Sequence, residues 1–133
     1  MAAKERRIPG MWTDGLVLVT VPRAEAWRAW LESHHARAAG AWLVFHKAHT
    51  GRPSPSYGEA VDEAVCFGWV DNLMRRIDDD RYARRFVPRK PDSKWSESNV
   101  QRVNRLLAEG RMAPAGLASV AEAKKRGTWP DTV

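Results

Sequence analysis

Cysteine is almost absent: Cys66 is the single one in 133 residues, which excludes an internal disulfide and any cysteine-based metal framework. Long apolar runs are missing as well. Runs such as Leu16 to Val21 fall far short of the roughly 20 residues a bilayer span requires. The N-terminus is charged and has neither the apolar segment nor the small-residue cleavage site of a secretion signal. No nucleotide-binding fingerprint, metal-ligand spacing or nucleophile–base pair is readable. These absences lead to the expectation of a single cytoplasmic domain with no cofactor and no metal. A chain of this length buries about two-thirds of its unfolded surface, enough to hold a core without staples.

What is present is charge and tryptophan. The 22 Lys and Arg against 16 Asp and Glu give a net charge of +6. The excess is uneven: residues 41–80 carry 4 basic and 7 acidic side chains, whereas residues 81–133 carry 12 and 5. A basic C-terminal half invites an anionic partner, although a solvated arginine-rich surface has the same composition. The seven tryptophans stand at positions 12, 27, 30, 42, 69, 95 and 129. Most belong in a core by their apolar area, and some could wall a pocket.

Periodicity organises the chain. Residues 1–15 show none and read as a flexible basic arm, leaving 16–133 as one domain. Leu16 to Val21 reads as a buried strand ended by Pro22. Trp27, Trp30, Leu31 and His34 recur at helical spacing, predicting a helix over about 23–38 that Gly40 closes. Ala41 to Lys47 reads as a second strand. Ser56 and Glu59 form a capping box ahead of a helix that Gly68 stops. Trp69 to Ile77 and Tyr82 to Val87 flank Asp78-Asp-Asp80 as a hairpin. Ser96 caps a helix ended by Gly110, and Pro114 opens a last helix running to Arg126. The order predicts an α+β fold: one small domain with a short, mostly antiparallel sheet of about four strands, about four helices and a C-terminal helical pair.

Three ordered motifs carry a family resemblance. Tyr57-Gly-Glu-Ala-Val-Asp-Glu-Ala-Val-Cys-Phe-Gly-Trp-Val-Asp71, Arg85-Phe-Val-Pro-Arg89 with Ser93-Lys-Trp-Ser96 and Asn99, and Gly110-Arg-Met-Ala-Pro-Ala-Gly116 follow one another at matching separations. Together they resemble the YdeI/OmpD-associated proteins, also described as a bacteriocin-protection family, over roughly residues 20–130. The resemblance implies a bacterial role in stress tolerance, outer-membrane porin phenotypes or protection against bacteriocins or cationic peptides. It implies no catalytic residues.

Read physically, the motif residues suggest a ligand-binding pocket made of Trp69, Asp71, Arg85, Arg89, Ser93, Trp95 and Asn99. Asp71 and Arg85 could pair across the hairpin. Arg89 and the start of the Ser96 helix could present a guanidinium and free N–H groups to one anion, with Trp69 and Trp95 as flat walls. The same residues serve equally as helix stop, cap, internal ion pair and packing. The expected role is toxin or stress resistance by binding a small molecule or peptide.

Two other function classes stay open. A hydrolytic enzyme acting on an electrophilic antibiotic would use Asp71 or Glu63 as base and Arg85 or Arg89 to steady the developing anion. A nucleic-acid-binding protein would use Arg81, Arg84, Lys90 and Lys94 as phosphate contacts. Cys66, on an apolar helix face with no histidine tied to it, reads as a small hydrophobe rather than a nucleophile. His34 and His35 are adjacent on a helix, and His46 and His49 are three apart near a strand end, both poor spacings for metal ligands. On a strand, Tyr82, Arg84 and Phe86 share one face and Arg81 and Arg85 the other.

Overall fold

The computed structural model of the chain describes residues 3–7 and 12–130. Its elements in chain order are β1 (Lys4–Arg6), β2 (Val17–Thr20), α1 (Ala24–His34), β3 (Ala41–His46), a single 3-10 turn (Ala48–Thr50), α2 (Tyr57–Cys66), β4 (Trp69–Arg76), β5 (Arg81–Pro88), α3 (Glu97–Ala108) and α4 (Pro114–Arg126). This is the α+β architecture read from the sequence, with α3 and α4 as the C-terminal pair. Among the described residues no helix is long and apolar enough to cross a membrane.

The sheet has five strands in the order β1-β2-β3-β5-β4 and is mixed. β2 and β3 run parallel, because α1 carries the chain back over the sheet between them, and the remaining neighbours are antiparallel. The extra strand comes from the segment expected to be an arm: Lys4, Glu5 and Arg6 pair with Thr20, Val19 and Leu18. Residues 1, 2 and 8–11 of that segment lie outside the described residues. Asp78 closes the β4–β5 hairpin, its side chain accepting from the N–H groups of Asp80 and Arg81.

All four helices cover one face of the sheet. Val17, Val19, Leu43, Phe45 and Phe86 meet Trp27, Leu31, Ala64 and Val103 in the main core. The opposite face holds a much smaller cluster of Leu18, Trp42, Val44 and Ala83, sheltered in part by Trp12, Leu16 and Ile77. β2 and β3 are therefore buried on both faces, which explains why both read as unbroken apolar runs.

Local signals set the helix ends. Ser56 accepts from Glu59 N–H while Glu59 reaches back to Ser56 N–H, so the capping box forms. Ser96 accepts from Asn99 N–H at the start of α3. Gly116 allows the closest helix approach: a Cβ there would lie 2.2 Å from the Cys66 carbonyl oxygen. The seam between α2 and α4 is closed by Ala113 N–H donating to that same oxygen.

Asp62 and Glu63, neighbours on α2, are 9% and 7% exposed, and each is held by two arginines. Arg102 and Arg105 of α3 bond Asp62, while Arg28 of α1 and Arg111 ahead of α4 bond Glu63. Burial alone would push the Asp62 carboxyl up, but the hydrogen bonds from Arg105 and Arg102 outweigh it and hold the group below the usual carboxylate range. One helical turn thus ties three other parts of the chain to α2.

Candidate functional site

Arg89 is where the chain leaves β5. Its backbone N–H donates to the Gly68 carbonyl, which fixes the strand end against the left-handed turn after α2. Pro88 and Pro91 flank it and keep the chain extended. The guanidinium then lies 3.8 Å from the centre of the Trp95 ring and donates to Ser93 Oγ at 2.9 Å. Trp95 is held in turn by Trp129, 5.2 Å away between ring centres, and by its own N–H to the Thr128 carbonyl.

Among the described residues no carboxylate pairs with Arg89 and no second hydrogen bond uses its side chain. Burial lowers its proton affinity, and no neighbouring charge offsets that effect. A guanidinium has more donors than one serine hydroxyl can satisfy, and it stays charged in proteins. It faces a cleft of about 520 Å³. Phe67, Trp69, Pro88, Pro91, Ala115 and Ala118 give the cleft mostly apolar walls, with Ser119 and Glu122 at the α4 side. Glu122 is engaged by Arg126.

The structure therefore brings together four of the seven expected site residues. Arg89, Ser93 and Trp95 are in mutual contact through Arg89, and Trp69 lines the same cleft. Trp69 is 2% exposed and is mainly a core residue, its ring 6.0 Å from Trp30. Asn99 serves through its backbone N–H as the recipient of the Ser96 cap and does not line the cleft.

Asp71 and Arg85 do not pair, which corrects the expectation of an ion pair across the hairpin. An irregularity between Asp71 and Leu73 places Asp71 opposite Phe86 and Leu73 opposite Arg85. Asp71 consequently points to the helix side, where Arg84 bonds it at 2.7 Å and Tyr57 Oη donates at 3.0 Å. Arg84 also lies 4.5 Å from the Tyr57 ring centre. Arg85 points to the opposite face of the sheet, donating to Asn72 and to Asp14 at 2.9 Å and lying over Trp42. A bulge is invisible in a strand whose alternation is weak, so no local signal marked it.

The weaker candidates are also placed. Cys66 is fully buried and burial pushes its thiol up, the opposite of an activated nucleophile. Glu63 and Asp71, the two expected bases, are both committed to arginines. His34 stacks on Trp30, His35 packs at a tilt against Phe67, and His49 bonds Asp80. Of the expected phosphate contacts, Arg81 and Arg84 lie on opposite faces of β5, and Lys90 and Lys94 stand exposed in the loop beyond it. Sequence reasoning missed Phe67, Ala115 and Ala118 as cleft walls; small residues on α4 carry no signal of what they face.

A family described as a domain of unknown function (DUF8412) matches residues 19–119, and the chain belongs to that family. No curated protein matches the chain. No solved structure matches it either.

Proposed function

We propose that this DUF8412 member is a binding protein whose Arg89 cleft holds a small molecule or short peptide bearing one anionic group on an apolar body. The observation that carries this reading is the partly buried Arg89 guanidinium: it is partly desolvated, it lacks a carboxylate partner among the described residues, and it borders an apolar-walled cleft. A partly desolvated charge gains from a partner, and a bound carboxylate would complete the set with a bidentate contact. The cleft volume falls within the range of small-molecule sites. The Trp95 ring beneath holds the guanidinium plane in place, so little side-chain freedom is lost on binding.

Binding is favoured over hydrolysis because Asp71 and Glu63 already neutralise arginines and Cys66 is sealed in the core. The resemblance to YdeI/OmpD-associated proteins supports extending this reading to bacterial stress or toxin resistance by sequestration of the bound compound.

Tryptophan fluorescence tests it directly, since Trp69 and Trp95 flank Arg89. Titration with benzoate and cyclohexanecarboxylate, alongside their neutral amides, should show the carboxylates binding at least about tenfold tighter than the amides. Arg89→Gln should remove that preference. No binding of either carboxylate, or equal binding by Arg89→Gln, would overturn the reading.

A further inference from the structure

The sheet face without helices carries a second, differently charged cleft. It is bounded by Lys4 and Arg6 of β1, by Arg81 at the start of β5, and by Arg52 from the loop after β3. Leu18, Val44 and Ile77 supply an apolar floor, and the volume is about 360 Å³. The placement follows from strand alternation. Lys4 and Arg6 lie opposite Thr20 and Leu18, so both flank the uncovered face, while Glu5 between them turns toward His34 on the helix side.

The loop that delivers Arg52 is built to do so. Gly51 takes a left-handed conformation, Arg52 N–H donates to Thr50 Oγ, and His46 N–H donates to Ser54 Oγ, folding the loop back onto β3. Lys47 N–H donates to the Asp80 carbonyl and ties it to the hairpin. His46 and Arg52 line this cleft and two smaller hollows beside it, of about 210 and 260 Å³.

Charge is not balanced here. Arg81 is paired with Asp78, and Asp80 with His49. Lys4, Arg6 and Arg52 have no carboxylate partner among the described residues. Besides these cations, His46 Nδ1 is buried without a hydrogen-bond partner. Cations that converge on one hollow without counter-ions repel each other, and a multiply charged anion relieves that repulsion where a monocarboxylate would only partly do so.

We propose that the cleft between β1, the Arg52 loop and β5 binds a small phosphate-type anion, a phosphate monoester or a diphosphate, with Arg52, Lys4 and Arg6 as its charge partners. The apolar floor then receives the organic part of a monoester. The small volume and the separation of Lys90 and Lys94 from this face favour a compact ligand over a nucleic-acid strand. This site shares no lining residue with the Arg89 cleft.

Calorimetric titration of the full chain with inorganic phosphate, pyrophosphate and phenyl phosphate, at constant ionic strength, tests it. Pyrophosphate should bind tighter than inorganic phosphate by charge, and phenyl phosphate tighter by its contact with the floor. Arg52→Ala should weaken pyrophosphate at least about tenfold, and Lys4→Ala by several-fold. Arg89→Gln should leave pyrophosphate binding unchanged, which separates this site from the other. Circular dichroism of each variant confirms that the fold is kept, and Arg52→Lys, with the charge but not the fork, should fall between. Absent pyrophosphate binding, or binding that Arg52→Ala leaves intact, would overturn the proposal. So would affinity for single-stranded oligonucleotides that exceeds pyrophosphate and grows with strand length, because that marks a polyanion track.

Discussion

Arg89 and Trp95 form a cation–π pair at 3.8 Å, and that contact with the Ser93 hydroxyl is all the compensation the Arg89 charge receives from the described residues. Its consequence for stability is opposite to that of an ordinary ion pair. Replacing the guanidinium by an unbranched apolar chain of similar reach removes a desolvated charge and keeps contact with the ring. Arg89→Met should therefore be neutral or stabilising, by up to about 1 kcal/mol in urea unfolding. The same variant should lose carboxylate binding. A destabilisation above about 2 kcal/mol would mean that the charge has a protein partner after all.

Asp62 behaves the other way. Asp62→Asn leaves Arg102 without a carboxylate and Arg105 with Glu109 alone, and we expect a loss of about 2 kcal/mol, less than for a fully buried pair because both arginines are partly exposed. Asp79→Asn, which breaks only the exposed pair with Arg76 at the hairpin tip, should change stability by less than about 0.5 kcal/mol. Similar losses at the two positions would contradict this account.

The same carboxyl shapes the acid limb of stability. Its folded-state proton affinity is held below the unfolded value, so its contribution is present above about pH 4 and is lost as pH falls through the folded value. Asp62→Asn should flatten the Tm profile below pH 4 while leaving the shape above pH 5 unchanged.

His46 acts at milder pH. Burial first, then the charges of Arg52 and Arg81, hold its imidazole below the ordinary value, with Asp78 and Asp80 opposing. The unfolded chain takes up this proton near pH 6.5 and the folded chain only at lower pH, so folding stability declines as pH drops below about 6.5. His46→Asn should reduce that decline between pH 6.5 and 5 relative to the parent. An unchanged slope in Tm over that interval would show that another group sets it.

Gly116→Ala tests the helix seam. A methyl group 2.2 Å from the Cys66 carbonyl oxygen forces α4 away from α2, and a loss of about 1–3 kcal/mol follows. Cys66, now sealed, should also react faster with a thiol reagent in this variant. Wild-type stability together with an unreactive thiol would refute the close approach.

Much of the architecture was legible because its signals are local. Ser56 with Glu59, and Ser96, announce helix starts by the groups their side chains can satisfy, and Trp27, Trp30 and Leu31 announce a buried helical stripe by spacing. Alternation also separated Arg84 from Arg85 correctly. What alternation could not say is which face the helices cover, since that is decided by contacts between residues far apart in the chain. The Asp71–Arg85 pair failed for that reason together with the register shift after Asp71. Arg89, Ser93 and Trp95 lie within a few residues of each other, so their association survived; Lys4 and Arg52 meet only through the sheet and left no trace in sequence.

β1 has one further consequence. It is three residues long, exposed and charged at every position, and it covers the outer side of β2. The N–H and C=O groups of residues 18–20 that β1 occupies would otherwise lie open along an apolar strand, a template for pairing with a second molecule. A chain trimmed behind Arg6 would thus trade a short, hydrophilic border for a sticky one, and its first symptom would be self-association rather than unfolding.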